Sequence, residues 1–570
     1  MPLPLIAELK RRRVFRALVA YGVAAFAVLQ IVEPVMHGLH WPEGVLSYVV
    51  VALAAGFPIV VALAWIFDVR GGRLEKTEGA RLGARRSLLL VAIGALAAAP
   101  GLIWYFGIRG RSKSSDAPPS IVVLPFVNLS AERENEYFSD GMTEEIINAL
   151  ANIEGLRVVA RTSAFSFKGK NVDIRKIGEE LKVSTVLEGT VRRQGNQLRV
   201  AAQLIAANDG YHLWSKTYDR ELNDMFLVED DVARAIVQAL KPKLVQPTAM
   251  VERTTDSSEA HDLYLKGRYL WNQRSKEGLT RAIALFERAI ALDAGYSLAH
   301  SGLADCYNVL GDYGGTQGEE VASKGKTHAL AAVKLDDGLA EGHASLAAYM
   351  DRECDWDGAN REFTRAIELR PGYATAHHWY GFTLLGQGRL AEARAEAERA
   401  RQLDPTSVII NTFLVTVLHH AGEYDAAVDQ AQKTLDLNPG FDLARVFLAY
   451  SHLVAGRLAD ALGALDRAPA PSSQLSVVRA HLLAASGATT DARRILTEIE
   501  AHFDANPVPR GSLALAHLAL GEKDAAFVWL EKGLVARDQS VRMLKLNPMW
   551  EPIRFDPRYR ALLKRMNLKP

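Results

Sequence analysis

Cysteine is nearly missing from this chain: two residues in 570, Cys306 and Cys354. A disulfide framework is thereby excluded, and nothing in the sequence brings the two thiols together. An excess of charge is missing too. Lys and Arg total 67, Asp and Glu 66, and the net charge is +1, so no global field would recruit nucleic acid. The glycine-rich stretch Gly311–Gly318 has no strand before it and no Gly-Lys-Ser/Thr after it, which argues against nucleotide binding. Lys168-Gly169-Lys170 is too short for a phosphate loop. Ser163 and Ser166 have no Ser-His-Asp arrangement beside them. The pairs His377-His378 and His419-His420 are adjacent in sequence, so on a helix their side chains point about 100° apart and cannot chelate as an i, i+4 pair would. Asp140, Glu144 and Glu145 crowd a helix start, where carboxylates are favoured without any catalytic purpose. Asn128-Leu129-Ser130 is a glycosylation sequon by pattern alone. The expectation is a protein with no cofactor, no metal site and no catalytic centre.

What is present is a period of 34. Pro371, Pro405 and Pro439 form one series, Gly388, Gly422 and Gly456 a second, and Ala359, Ala393, Ala427 and Ala461 a third. Such a period is one helix–turn–helix unit, and stacked units form an all-α superhelical solenoid. Alanines on the second helix receive the next unit. Glycine in the turn accepts a left-handed backbone. Proline ends the second helix. Leu346 and Ala347, then Tyr380 and Gly381, mark first helices, and Phe363 and Ala366 continue a second one. Ala282, Phe286 and Ala289 mark an earlier second helix; Leu303, Ala304 and Tyr307 mark the first helix that follows, with Gly311–Gly318 as an enlarged turn. Two looser units follow around Gly487/Ala492 and Gly521/Ala526. This pattern resembles the tetratricopeptide repeat (TPR) family over residues 258–545, about eight units, with residues 546–570 as a capping segment. The resemblance implies a curved groove that binds protein or peptide partners. Counting within the units places His378, Phe382, Thr412, Thr416, His419 and Tyr450 on that groove as candidate contacts. A Lys/Asn carboxylate clamp of the kind used by chaperone-tail-binding TPRs is missing.

The first 110 residues differ in composition. Residues 17–37, 44–67 and 88–108 are strongly apolar, contain no Lys or Arg, and are each long enough as a helix to span a bilayer. Arg11, Arg12 and Arg13 precede the first, and Arg70, Arg73, Lys76, Arg81, Arg85 and Arg86 lie in the loop Asp68–Ser87. Basic loops stay cytoplasmic. Trp41, Trp65, Trp104 and Tyr105 sit near the ends of these stretches. Glu33 lies close to the outer end of the first and is read as a solvated or helix–helix contact rather than an ion path. The expectation is a multi-pass inner-membrane protein contacting membrane lipid, its N-terminus cytoplasmic and everything after about residue 110 periplasmic.

Between these regions, after a polar linker at 111–119, residues 120–247 read as an α/β domain of order β-α-β-α-β-β-β-α. Ser120–Phe126 is a buried strand, Asp140–Ala151 a helix capped by Asp140, Leu156–Ala160 a strand and Val172–Leu181 an amphipathic helix. Three strands follow, Ser184–Arg193, Leu198–Ala206 and His212–Tyr218. The first two join in a hairpin at Gln194-Gly195-Asn196. Asp224–Leu244 closes the domain as a helix. The phrases VVLPFVNLS, YFSDGMTEEI, LRVVARTS, VSTVLEGTVRR and DGYHLWSKTYDR resemble the FlgO-like domain, itself similar to the TolB N-terminal domain. That resemblance implies a bacterial envelope protein with a non-catalytic, protein-contacting module. In the family layout such a module followed by TPRs often sits behind a cyclase, kinase or winged-helix domain; here the preceding residues read as membrane helices instead.

The whole reads as a multidomain protein: three transmembrane helices, an α/β middle domain and a TPR solenoid. It would act as a membrane-anchored, non-catalytic scaffold binding protein or peptide partners, with self-association into a homo-oligomer left open. The alternative is an envelope sensor that signals through its membrane helices to a separate cytoplasmic effector such as a cyclase or kinase.

Overall fold

The computed structural model describes residues 14–38, five isolated positions between 49 and 60, 67–70, 73–76, and 119–569 apart from 154, 222–224, 241–253, 311–318 and 471. Two compact units result, Met1–Ala117 and Pro118–Pro570.

The first unit contains helix α1 (Val14–Gly38) and a hairpin of β1 (Phe67–Arg70) and β2 (Arg73–Lys76). The Tyr21 hydroxyl donates to the Leu53 carbonyl, and its ring lies 5.6 Å from that of Phe57. The three-span expectation is overturned: among the described residues no helix is long and apolar enough to cross a membrane. The first stretch is helical, but Arg16, Gln30, Glu33 and Pro34 bound or interrupt it. Its longest uninterrupted part, Ala17–Leu29, covers roughly 20 Å against about 30 Å of hydrocarbon. The basic segment read as the start of a cytoplasmic loop pairs as the β1–β2 hairpin. The stretches 88–108 and, apart from isolated helical positions, 44–67 lie outside the described residues, as do most of linker 111–119 and the turn 311–318. The multi-pass inner-membrane placement, with a periplasmic C-terminal part, falls with the spans on which it rested.

The second unit opens with a mixed sheet. In chain order it contains β3 (Ser120–Val123), β4 (Val127–Asn128), α2 (Glu136–Ala151), β5 (Arg157–Val158), α3 (Arg161–Phe165), α4 (Ile174–Leu181), β6 (Thr185–Gln194), β7 (Gln197–Ala206), β8 (His212–Glu221) and α5 (Met225–Leu240). Strand order is β5-β3-β6-β7-β8, with β4 alongside β6. β3 is parallel to β5 and β6; β6, β7 and β8 form an antiparallel meander. α2 begins four residues before Asp140, because Tyr137 and Phe138 bury their rings. Asp140 is therefore inside the helix, 2.6 Å from the Lys168 ammonium. α3 has no counterpart in the sequence reading. Five residues are too few to display a helical period.

The remainder is helical. Eight pairs stand among the described residues: α6 (Ser258–Asn272) with α7 (Lys276–Leu292), α8 (Ser297–Val309) with α9 (Glu319–Leu335), α10 (Ala340–Arg352) with α11 (Trp356–Leu369), α12 (Ala374–Gln387) with α13 (Leu390–Leu403), α14 (Val408–His420) with α15 (Tyr424–Leu437), α16 (Asp442–Val454) with α17 (Leu458–Asp466), α18 (Ser473–Ala485) with α19 (Thr489–Ala501), and α20 (Arg510–Ala519) with α21 (Lys523–Val535). α22 (Gln539–Arg542), a 3-10 turn at Pro548–Ile553 and α23 (Pro557–Arg565) close the chain. Ala359, Ala393, Ala427 and Ala461 are fully buried. Gly388, Gly422 and Gly456 have φ of 84°, 78° and 76°. At each of them the following N–H reaches back to a carbonyl five residues earlier, as in Arg389 N to Leu384 O at 2.9 Å, which closes the first helix.

A fourth series with the same spacing emerges from the hydrogen bonds. His343, His377, Asn411 and Arg445 are 34 apart, and each is buried. Each bonds the carbonyl six residues back: Asp337, Pro371, Pro405 and Pro439 at 3.0, 3.1, 2.8 and 2.7 Å. Each also bonds the residue 19 ahead on the second helix of its own pair: Glu362, Glu396, Gln430 and the Ala464 carbonyl at 2.7, 2.5, 2.9 and 2.9 Å. This polar peg ties the inter-unit turn to the hairpin that follows. It satisfies a carbonyl that the inter-unit turn leaves open. Replacing Asn411 by Leu should cost about 1–3 kcal/mol by leaving the Pro405 carbonyl and the Gln430 amide unpaired. Urea denaturation of the full chain measures this, and a loss below the experimental scatter would remove the peg's structural role.

Candidate functional site

The first helices line a cavity of about 1470 Å³ on the concave side of the solenoid. Two further parts of the unit complete its wall. The sheet domain contributes α2 and α3, and the C-terminal segment contributes residues around Arg537–Met543.

Polar contacts bolt the sheet domain to the solenoid, and three groups of them involve residues that line the cavity. Glu144 of α2 accepts from Arg268 at 2.8 Å and from Asn272 at 3.1 Å on α6, and pairs with Arg161 at 2.9 Å. Burial alone would raise this carboxyl, but Arg268 and Arg161 overcome it and hold it below its usual range. Arg370, after α11, grips Glu341 through two bonds of 2.7 and 2.9 Å and donates to Asn152 at 3.1 Å. Asp404, between α13 and α14, accepts from the Ser163 N–H at 2.8 Å and its hydroxyl at 2.5 Å. The Ser163 oxygen in turn accepts from the Thr406 N–H at 2.8 Å. The C-terminal segment closes the far side. Arg542 pairs with Asp351 of α10, the Trp356 indole donates to the Met566 carbonyl at 2.8 Å, and Asn567 donates to the Cys354 carbonyl at 3.1 Å. Both cysteines are free thiols.

Of the six residues read as groove contacts, His378, Phe382, Thr412, Thr416 and Tyr450 line the cavity. His378 and Phe382 of α12 pack at a tilt against Phe413 of α14, their ring centroids 5.3 and 5.6 Å from its own. Burial, with Arg274 nearby, lowers His378 to about 4, so its ring is neutral at physiological pH. The Thr412 and Thr416 hydroxyls donate to the carbonyls four residues back. His419 is fully buried away from the cavity, its Nδ1 3.1 Å from the Ser451 hydroxyl and its ring against Tyr424 and Phe447. Its neighbour His420 takes the cavity position. Phe413, Thr416 and His420 form the i, i+3, i+7 stripe of α14 that faces inward, and one residue's offset turns His419 about 100° away.

Sequence reasoning missed Arg161, Arg268, Arg370 and Asp404. Most of their partners across the junction are more than 100 residues away, as Glu144 is from Arg268, Asn152 from Arg370 and Ser163 from Asp404, and no periodic signal marks them. It also missed Glu229, and it read Glu145 only as one of the carboxylates at a helix start. Glu229 of α5 is fully buried with neither oxygen hydrogen-bonded to a protein group. Burial and then Glu145 push it well above the usual carboxylate range. Glu145 is itself pushed up to about 8 by burial and by Glu144 and Glu341. The folded state thus holds protons that the unfolded chain has lost above about pH 4.5. This contribution to stability is fully present below that pH and is lost as pH rises through about 8. Glu229→Gln should therefore raise the thermal midpoint more at pH 8.5 than at pH 5; a difference independent of pH would contradict the assignment.

Residues 352–408 and 418–479 match two tetratricopeptide repeat families, so the solenoid carries TPR repeats. Residues 116–240 match the family described as HilA/YgeH-like transcriptional regulator, second domain; the likeness to the FlgO and TolB families stays a resemblance of phrases. One curated relative, "Putative adenylate cyclase 3" of Rhizobium meliloti (strain 1021), is 45% identical over 193 residues. That match covers 33% of this chain and 32% of the relative, so it spans about a third of that protein. Transcriptional regulator HilA of Salmonella typhimurium is 22% identical over 426 residues, covering 72% of this chain and 74% of the relative. Among solved structures, Pseudomonas aeruginosa pilF is 18% identical, with a TM-score of 0.31, covering 41% of this chain and 98% of that one.

Proposed function

We propose that this chain is a non-catalytic interaction module whose solenoid groove receives a segment of a protein partner. The observation that carries this reading is the cavity of about 1470 Å³ walled by the inner helices. It exceeds the roughly 300–1,000 Å³ of small-molecule pockets and suits a short stretch of polypeptide. TPR repeats are widely used to hold protein and peptide segments in this way. The polar groups that could suggest chemistry are tied up in structure: Ser163 by Asp404 and Thr406, Glu144 by two arginines and Asn272, Asp140 by Lys168.

A second reading is supported by the relatives. In it, residues 118–570 are the receiving half of a regulator, and occupancy of the groove is passed to an effector such as a cyclase or a transcriptional machinery. The sheet domain spans several solenoid units through Glu144, Arg370 and Asp404, so a segment in the groove would push against it as well as against the helices.

A crosslinking pull-down with the full chain tests the groove. Substituting His378→Ala and Phe382→Ala together should abolish capture of whatever the wild type retains, with an unchanged circular dichroism spectrum. Capture that survives in the folded variant would move the binding surface elsewhere.

A further inference from the structure

The charged side chains that line the groove are already engaged within the protein, by opposite charges or by hydrogen bonds. Arg161 and Arg268 share Glu144, Arg370 holds Glu341, Arg542 holds Asp351, and Arg510 lies 3.5 Å from Asp538. Asp404 is bonded by Ser163. Arg352 donates to the Asn308 side chain and carbonyl at 2.8 and 2.7 Å. Arg537 reaches Glu353 at 3.6 Å. Asp442 stands in the first turn of α16, where the helix N-terminus compensates it. Arg274 lies over the Trp271 ring, 3.5 Å from its centroid. The lining charges that remain, Lys170, Glu180 and Asp504, are exposed, and water screens them.

What remains on the inner wall is uncharged. Phe382 and Phe447 are half-buried, and Ile409 and Leu437 are exposed although they line the cavity. His378 is neutral, as is His420, which burial lowers to about 4. An ionised side chain entering here would lose its hydration and find no free counter-charge, and that exchange is unfavourable. Apolar side chains of an entering segment would instead cover lining residues such as Phe382, Phe447, Ile409 and Leu437.

Resting on the groove reading above, we propose that the groove selects an uncharged, apolar partner segment and discriminates against acidic and basic ones. Its recognition differs from a carboxylate clamp, in which cationic side chains stand free to meet the ligand. Affinity then comes from apolar burial and is nearly independent of salt.

The test uses the full chain and three fluorescein-labelled peptides of about 12 residues on one Gly/Ser/Gln frame, carrying Leu and Phe, Glu, or Lys at the same positions. Fluorescence anisotropy reads binding. The Leu/Phe peptide should bind roughly tenfold or more tightly than either charged peptide. Its Kd should change by less than about twofold between about 50 and 500 mM salt. Phe382→Ala should weaken it roughly tenfold, about 1.4 kcal/mol. Val535→Ala, at an exposed apolar position on α21 outside the lining, should leave it unchanged. Equal or tighter binding of the Glu or Lys peptide that is still lost in Phe382→Ala would overturn the selectivity while the groove itself stands. Binding of no peptide, or binding indifferent to Phe382→Ala, would overturn the groove reading as well.

Discussion

A pair of helices of about 14 residues cannot cover its own apolar face, and the rest of this molecule follows from that constraint. Each pair must lean on the next, so the residues at the contact are small and recur with the length of the pair. Ala359, Ala393, Ala427 and Ala461 have no exposed surface because a neighbouring helix lies directly on them. At Gly381 a Cβ would come within 2.7 Å of the Phe413 ring, so the close approach of α12 and α14 depends on its absence. Stacking then leaves the first helices along one curved wall, and the groove is a by-product of that stacking.

Stacking alone leaves polar debts at every unit boundary, where the chain turns and its carbonyls lose helical partners. The peg series from His343 to Arg445 meets them with different side chains: imidazole, imidazole, amide, guanidinium. The chemistry required is one donor reaching back six residues and a second polar contact reaching forward to the partner helix. Histidine, asparagine and arginine all supply that, which is why the series is invisible to a search by residue type. His377, one of the histidines whose metal-binding potential the spacing rules out, has this structural task.

The junction between sheet domain and solenoid uses a different economy. Its ion pairs are buried, so each partner depends on the other for the cost of leaving water. Glu144, Arg161 and Arg268 form one such group and Arg370 with Glu341 another. Close by, neither oxygen of Glu229 is hydrogen-bonded to a protein group, and burial pushes its carboxyl well above the usual carboxylate range. The junction that shapes the groove thus combines carboxylates held charged by arginines with a buried carboxyl whose proton becomes costlier to keep as pH rises.

The repeat period, the buried alanines and the left-handed glycines were legible in the sequence by itself, because helices repeat at short range and a face follows from counting. His419 failed on the same arithmetic, since one residue rotates a side chain by about 100°. The first membrane span failed because apolar content was counted without the weight of Gln30, Glu33 and Pro34 inside the stretch. Only the tertiary structure decided that the groove is bridged by the sheet domain and closed by the C-terminal segment. Glu144 meets Arg268 across 124 residues, Ser163 meets Asp404 across 241, and Trp356 meets Met566 across 210. Contacts at such separations leave no periodic trace in the chain, because it is the curvature accumulated over all the stacked pairs that brings them together.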